Sequence, residues 1–180
     1  MGPLETLRAA SRAAPFDVRL VTCDGQELVR GSYGVEFRPD GGHRADADIL
    51  VVPGGGWNAR AERGAWAEAR SGRWTPLIQG AAQAGAVLAG VCTGAMLLAS
   101  AGVVAGRRAT THHDAWPELE AAGARLVRER VVDDGDLVTA GGVTSGLDLG
   151  LWLLERFASP ALADRVAGAL DYQRQRASRP

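Results

Sequence analysis

The segment Ala86–Gly94, with the sequence AVLAGVCTG, constrains the fold of this chain more than any other stretch. Residues 86–91 are small and apolar and carry no charge, a pattern typical of a strand buried in a parallel sheet. From Ala95 onward the residues favour a helix, which is expected to end near Gly102. The pattern therefore predicts a buried strand, a tight turn at Cys92 and a helix.

Cys92 lies between Gly90 and Gly94 in the spacing G-x-C-x-G, the thiol version of a nucleophile elbow. Such a turn places the sulfur beyond the carboxyl end of the sheet, near the positive end of the next helix. That field is expected to favour the thiolate, the nucleophilic form. The alternative interpretation is a small buried cysteine with no chemical role.

Composition excludes several function classes. The net charge of -1 gives no electrostatic basis for binding nucleic acid or an anionic membrane. All 20 basic residues are Arg, so Schiff-base and P-loop lysines are excluded. No apolar run approaches the ~20 residues of a membrane span, and two cysteines do not form a disulfide framework. A cytoplasmic protein of one domain, residues 1–180, is expected.

Strands alternate with helices along the chain, which predicts a three-layer α/β fold with a largely parallel sheet. The predicted helices cover 2–14, 59–70, 75–84, 95–102, 116–122, 144–157 and 160–172. The predicted strands cover 16–21, 48–52, 86–91, 108–111, 124–126, 130–132 and 137–140, with a hairpin over 28–37. A helix that begins at residue 2 is normally preceded by a strand. We therefore expect the first strand to be missing from this sequence, or the topology to differ.

Two further segments fall at the carboxyl ends of predicted strands, where α/β folds bind ligands. Gly54 and Gly55 follow the strand 48–52, and their N–H groups are suited to stabilising developing negative charge, unless they only form a tight turn. His112, at the end of the next predicted strand, is placed to orient or deprotonate a thiol, or else to cap a helix. No metal is expected, because adjacent His112 and His113 should diverge on a strand and no third ligand has suitable spacing.

Two other features have interpretations that are mainly structural. Asp148 falls in the first turns of the helix over 144–157, where the helix dipole favours a carboxylate. Three tryptophans follow the Gly-rich turn, Trp57, Trp66 and Trp74. Their positions are compatible with a pocket wall, the core or a dimer contact.

The chain resembles the ThiJ/PfpI family of the class I glutamine amidotransferase-like superfamily. Four segments carry the resemblance in the family's order: Val51–Gly55 (VVPGG), Gly90–Gly94 (GVCTG), Ala109–His112 (ATTH) and Thr139–Asp148 (TAGGVTSGLD). The resemblance implies a flavodoxin-like αβα sandwich, a homodimer and no cofactor. It also implies roles for the matched residues: Cys92 as reactive thiol, Thr93 as a catalytic and substrate-binding residue that works with it, His112 as the neighbouring catalytic histidine, and Gly54 and Gly55 on the oxyanion side.

Within the family, the elbow and the segment after Thr139 most resemble isonitrile hydratases. These enzymes add water to a small-molecule isocyanide, R–N≡C, and yield an N-substituted formamide. Two alternatives remain open: an enzyme of the glyoxalase or deglycase type acting on α-oxoaldehydes, and a non-catalytic sensor or binding domain.

One departure from the family pattern affects the expected chemistry. The acidic residue that assists the thiol would lie three positions before Gly2, upstream of Met1, and Glu5 is displaced from that place. The expectation is that Met1 is an internal methionine of a longer protein, or that the gene is truncated. The expected missing strand and the expected missing acid are thus one gap.

Overall fold

A computed structural model of the chain describes residues 1–31 and 33–178. The helices are α1 Gly2–Ala10, α2 Ala65–Ser71, α3 Thr75–Gln83, α4 Gly94–Ser100, α5 Trp116–Ala121, α6 Ser145–Phe157 and α7 Pro160–Ala169. The strands are β1 Val21–Thr22, β2 Val29–Arg30, β3 Glu36–Phe37, β4 Gly41–Gly42, β5 Ile49–Val52, β6 Val87–Val91, β7 Arg108–Ala109, β8 Arg125–Leu126, β9 Val131–Asp133 and β10 Leu137–Ala140.

The central sheet has the strand order β5-β6-β10-β9. Strands β5, β6 and β10 run parallel, and β9 pairs with β10 in the antiparallel sense. Every residue of β6 is buried, as expected for a strand covered on both faces. Within the described residues, no strand pairs with the outer edge of β5. The carboxyl ends of β5, β6 and β10 lie together at one edge, where the site forms.

Two apolar layers cover the sheet, one on each face, which confirms the predicted αβα sandwich. Leu88 of β6 packs with buried residues of α3, α4 and α5. Its neighbours Val87 and Ala89 point to the other face and pack with α1, α6 and α7. Neighbouring residues of a strand point to opposite faces, so this alternation is what the pleat requires.

Helices α1 and α6 pack at unusually close range because two glycines lie in their contact. A Cβ on Gly150 would lie 1.7 Å from Thr6 Oγ1, and one on Gly146 would lie 2.9 Å from Pro3 Cδ. This approach places the start of α1 next to the first turn of α6, because a Cβ on Gly2 would meet the backbone of Gly146. The amino end of α1 is therefore close to the carboxyl edge of the sheet.

Several predicted boundaries were wrong. Helix α1 ends at Ala10 rather than Ala14, and Pro15 disfavours helical backbone in the residue before it. The predicted strand 16–21 is reduced to Val21–Thr22, which pairs with β4 at the periphery. The predicted helix 59–70 begins only at Ala65, because Gly64 has a φ of 106°.

The other predicted elements are present within a few residues of their expected bounds. Strands β2 and β3 form the predicted hairpin, of which Ser32 lies outside the described residues. Within the described ranges, every helix is too short or too polar to cross a membrane.

Candidate active site at the Cys92 elbow

Cys92 occupies the predicted tight turn between β6 and α4 with a left-handed backbone conformation. Its φ is 55°, which a residue with a Cβ adopts only under constraint. The Cys92 N–H is shared between the carbonyls of Ala140, at 3.0 Å, and Gly141, at 2.8 Å. The Cys92 carbonyl accepts a hydrogen bond of 2.8 Å from Thr111 Oγ1. These contacts hold the strained conformation that presents the sulfur.

The two glycines of the G-x-C-x-G motif are required by close backbone approach. A Cβ on Gly90 would lie 2.9 Å from Ala95 Cα, in the first turn of α4. A Cβ on Gly94 would lie 2.0 Å from the carbonyl oxygen of Val52, at the end of β5. Any larger residue would therefore push α4 away from the sheet.

The structure brings Gly54, Gly55 and Thr93 together beside Cys92. A Cβ on Gly54 would lie 2.5 Å from the Thr93 nitrogen, so only glycine permits this contact. The Gly55 N–H donates a 2.9 Å hydrogen bond to Thr93 Oγ1. Since that oxygen accepts from Gly55, its own proton is available to the Cys92 sulfur. The Thr93 N–H and hydroxyl both interact with the sulfur and stabilise its anionic form.

The expectation that the turn favours a thiolate was wrong. Burial raises the pKa of the Cys92 thiol above its ordinary value, and the hydrogen bonds from Thr93 only partly oppose this. Desolvation disfavours the charged form, and α4 contributes only seven residues of helix dipole. Within the described residues, the groups that influence this pKa include no charged side chain. The thiol is therefore protonated at neutral pH.

His112 follows β7 near the elbow, but no hydrogen bond connects it to Cys92 within the described residues. Its Nδ1 accepts a 3.3 Å hydrogen bond from the N–H of Asp114. Its ring carbon Cδ2 lies 3.4 Å from the position of a Cβ on Gly142. Because Nδ1 is an acceptor, the neutral ring carries its proton on Nε2.

The expectation that His112 and His113 diverge was also wrong. Their rings stack with centroids 4.3 Å apart, because a 3-10 turn over His113–Ala115 replaces the extended backbone. Ligand atoms of these two residues and of Asp114 lie within 4.8 Å of one another. The 3-10 turn thus brings Asp114 beside the two histidines as a third ligand group, which the expectation from sequence spacing had excluded.

Asp148 has the structural role that its sequence position suggested. Its side chain is fully buried and accepts a 2.7 Å ion pair from Arg130 Nε. The Tyr172 hydroxyl donates to it at 2.9 Å, and the Gln175 N–H donates at 2.7 Å. Burial and the Asp148 charge raise the pKa of Tyr172. The chain after α7 is thereby held against α6, a role for Arg130 that no sequence motif revealed.

The tryptophans after β5 belong largely to the core. Trp57 is 8% exposed, and its ring meets Trp66 edge to face at 5.2 Å. The Trp57 indole N–H donates to Glu118 of α5. Trp66 and Trp74 pack against the same apolar layer.

Comparison with known proteins adds to this geometry. The model of the DJ-1/PfpI family matches residues 1–156, most of the chain. The chain belongs to the DJ-1/PfpI family. The resemblance to ThiJ/PfpI proteins inferred from the four segments is thus confirmed.

Relatives within the DJ-1/PfpI family carry different names. The chain is 36% identical to isonitrile hydratase of Pseudomonas putida over 128 residues, 69% of this chain and 52% of that protein. It is 30% identical to the HTH-type transcriptional regulator CdhR of Pseudomonas aeruginosa over 91% of this chain and 48% of that protein. It is also 28% identical to protein dj-1beta of Drosophila melanogaster, over 88% of this chain and 84% of that protein. The chain thus spans about half the length of the first two.

Solved structures of the DJ-1/PfpI family share the fold. A ThiJ/PfpI family protein from Pseudomonas syringae superposes with a TM-score of 0.84 at 24% identity, covering 97% of this chain and 69% of that one. Drosophila melanogaster DJ-1beta gives a TM-score of 0.80 at 26% identity, covering 95% of this chain and 91% of that one. These values support the flavodoxin-like architecture expected from the resemblance.

Proposed function

We propose that this chain is a cysteine-dependent hydratase that converts an isocyanide and water to an N-substituted formamide. The proposal rests on the Cys92 thiol, which lies on a strained turn with a φ of 55° and beside the N–H and hydroxyl of Thr93. The similarity to isonitrile hydratase supports this choice among the activities of the family. The proposed reaction uses no cofactor.

In the first proposed step the Cys92 S–H adds across the terminal carbon of R–N≡C. The sulfur forms the C–S bond and the thiol proton goes to the same carbon, which gives the thioformimidate R–N=CH–S–Cys92. The raised pKa suits this step, because a protonated thiol brings the proton that the carbon needs.

In the second proposed step water adds to the thioformimidate carbon. The C–O bond forms, the C–S bond breaks, the nitrogen receives a proton and R–NH–CHO leaves. Cys92 recovers its proton from the same water. His112 is proposed to relay the proton that reaches nitrogen: its Nε2–H donates to the nitrogen while the ring takes a proton back from the attacking water, so that one water proton ends on nitrogen and the other on sulfur. The Gly54 N–H is proposed to stabilise negative charge at the reacting centre, whereas the Thr93 N–H acts on the sulfur and the Gly55 N–H supports the Thr93 hydroxyl.

The proposal is tested by incubating the purified protein with cyclohexyl isocyanide and measuring N-cyclohexylformamide by gas chromatography. The wild type and a Cys23→Ala control should form the product, and Cys92→Ala should not. Equal product from Cys92→Ala and wild type would refute a role for this thiol. Loss of methylglyoxal in place of isocyanide turnover would favour the glyoxalase-type alternative.

A second candidate is a non-catalytic ligand-sensing domain, favoured by the presence of a transcriptional regulator among the relatives. Stoichiometric binding of isocyanide without formamide release would support this candidate. We also propose a cytoplasmic homodimer, which analytical ultracentrifugation at micromolar concentration tests for its oligomeric state.

A further inference from the structure

A cavity lies beside the residues that hold the Cys92 elbow. Its volume is about 280 Å³, enough for a small organic ligand. Thr111 and Gly141 line it, and these two residues also hydrogen-bond the Cys92 backbone. The cavity therefore adjoins the elbow, although Cys92 itself is not in its wall.

Thr110, one of the residues that line this cavity, has a buried hydroxyl group without a partner among the described residues. Thr110 is 1% exposed, and its Oγ1 makes no hydrogen bond to any described residue. Its backbone N–H is already used, donating to Thr139 Oγ1 at 2.8 Å. A buried hydroxyl left without a hydrogen bond costs free energy, because it has lost its contact with water without gaining a partner. A ligand oxygen in the cavity would remove that cost.

A second hydroxyl and a cation line the same space. Ser145 is 3% exposed, and a Cβ on Gly141 would lie 3.4 Å from its Oγ, so glycine keeps this position open. The Arg128 guanidinium lies 4.9 Å above the Trp116 ring and forms no ion pair within the described residues. Trp116 is fixed in turn, because its indole N–H donates to the Thr111 carbonyl at 3.1 Å.

The charges around the cavity decide the chemical class of ligand. Arg130 also lines it, but its charge is neutralised by the fully buried Asp148. His113 of the same wall lies 3.0 Å from the Asp114 carboxylate, which leaves Arg128 and the exposed Glu129 as the charged residues without an ion-pair partner among the described residues. Two hydroxyls and a guanidinium are hydrogen-bond donors for an oxyanion, and Glu129 opposes that charge from an exposed position.

We propose that this cavity binds a small carboxylate ligand, with Thr110 and Ser145 donating to its oxygens and Arg128 supplying the counter-charge. The Arg128 side chain then pairs with the ligand while remaining stacked on Trp116. Ligand binding should change the environment of the Cys92 backbone, because Thr111 and Gly141 both line the cavity and hydrogen-bond that backbone. The site does not depend on the chemistry proposed for Cys92.

The test is a titration of the ¹⁵N-labelled protein with sodium acetate, followed by ¹H–¹⁵N correlation spectra, against sodium chloride at equal ionic strength. Amides of Thr111, Gly141 and Ser145 should shift with acetate and not with chloride. Arg128→Gln should weaken the affinity about ten-fold or more, the usual effect of losing a charge-assisted hydrogen bond. Arg125→Gln, on the exposed part of β8, is the matched control and should leave the affinity unchanged.

Two further variants separate binding from folding. Thr110→Val should weaken acetate binding several-fold, whereas Thr110→Ser, which keeps the hydroxyl, should restore it. Glu129→Gln should tighten binding, because it removes the opposing charge. Shifts outside the cavity, or an affinity that Arg128→Gln does not change, would overturn the proposal. An Arg128→Gln variant that dissociates a dimer and keeps its acetate affinity would identify this face as a subunit contact and also overturn it.

Discussion

The hydroxyl of Thr93 connects the Gly-rich turn to the thiol, so Thr93→Val tests whether this hydroxyl stabilises the thiolate of Cys92. Thr93 is 3% exposed, and its Oγ1 accepts the Gly55 N–H at 2.9 Å while its proton is available to the Cys92 sulfur. Valine has nearly the same shape but removes both hydrogen bonds. We expect Thr93→Val to lower the free energy of unfolding and the reactivity of the Cys92 thiol, while the side-chain volume at this position stays nearly the same.

The magnitudes follow from the two lost hydrogen bonds. The unpartnered Gly55 N–H should lower the free energy of unfolding by about 1–3 kcal/mol. A hydrogen bond to the thiolate contributes roughly 1.5–3 kcal/mol, so its loss should reduce the thiolate population about 10- to 100-fold. The more basic thiolate is also more nucleophilic, with a Brønsted coefficient of ~0.4–0.5. The rate of alkylation should therefore fall about 3- to 10-fold.

The assay follows iodoacetamide alkylation by intact-protein mass spectrometry at pH 7.5, in a Cys23→Ser background so that one thiol reacts. Thr75→Val is the matched control, because Thr75 makes no side-chain hydrogen bond within the described residues. Thr93→Ser keeps the hydroxyl and should retain most of the reactivity. If Thr93→Val is alkylated as fast as its parent, the hydroxyl does not act on the sulfur.

Three further outcomes are expected. Gly150→Ala should destabilise the protein by roughly 1–3 kcal/mol in urea unfolding, because its Cβ would lie 1.7 Å from Thr6 Oγ1; Gly168→Ala, where a Cβ meets nothing within 4 Å, should be neutral or stabilising. Asp148→Asn should cost about 3 kcal/mol in the same assay, since it leaves an arginine without its buried partner. The alkylation rate of Cys92 should keep rising at pH values where an ordinary cysteine has levelled off, because burial raises its pKa. By linkage, this thiol stabilises the fold below the unfolded-state pKa and loses that contribution as pH rises through the folded-state pKa.

The sequence was most informative where local pattern and burial agree. The uncharged run before Cys92 predicted β6, and the pattern over 144–157 predicted α6 to within one residue. The segment 16–21 alternates like a strand, yet a strand also needs a partner for its backbone, which the alternation does not reveal. The crossing of α1 and α6 was missed, although Gly146 and Gly150 have the spacing of close helix packing.

The chemistry of the site was harder to predict because it depends on tertiary surroundings. The motif places Cys92 at a helix start, which argues for a thiolate. Burial by the folded chain raises the pKa of the Cys92 thiol and outweighs the hydrogen bonds from Thr93, and no sequence window reports desolvation. The stacking of His112 on His113 likewise depends on a 3-10 turn that replaces the expected strand.

The polar groups around the Cys92 sulfur are dipoles rather than charges, and this difference bears on the choice of substrate. Within the described residues, the sulfur interacts with the N–H and hydroxyl of Thr93, and Gly55 supports that hydroxyl. Attack on the carbonyl carbon of an α-oxoaldehyde requires a thiolate, which this setting disfavours. Addition of S–H across an isocyanide carbon uses the sulfur and its proton together, and both add to the same carbon in the first step. A protonated thiol held by neutral donors is therefore better suited to the isocyanide reaction than to the oxoaldehyde one.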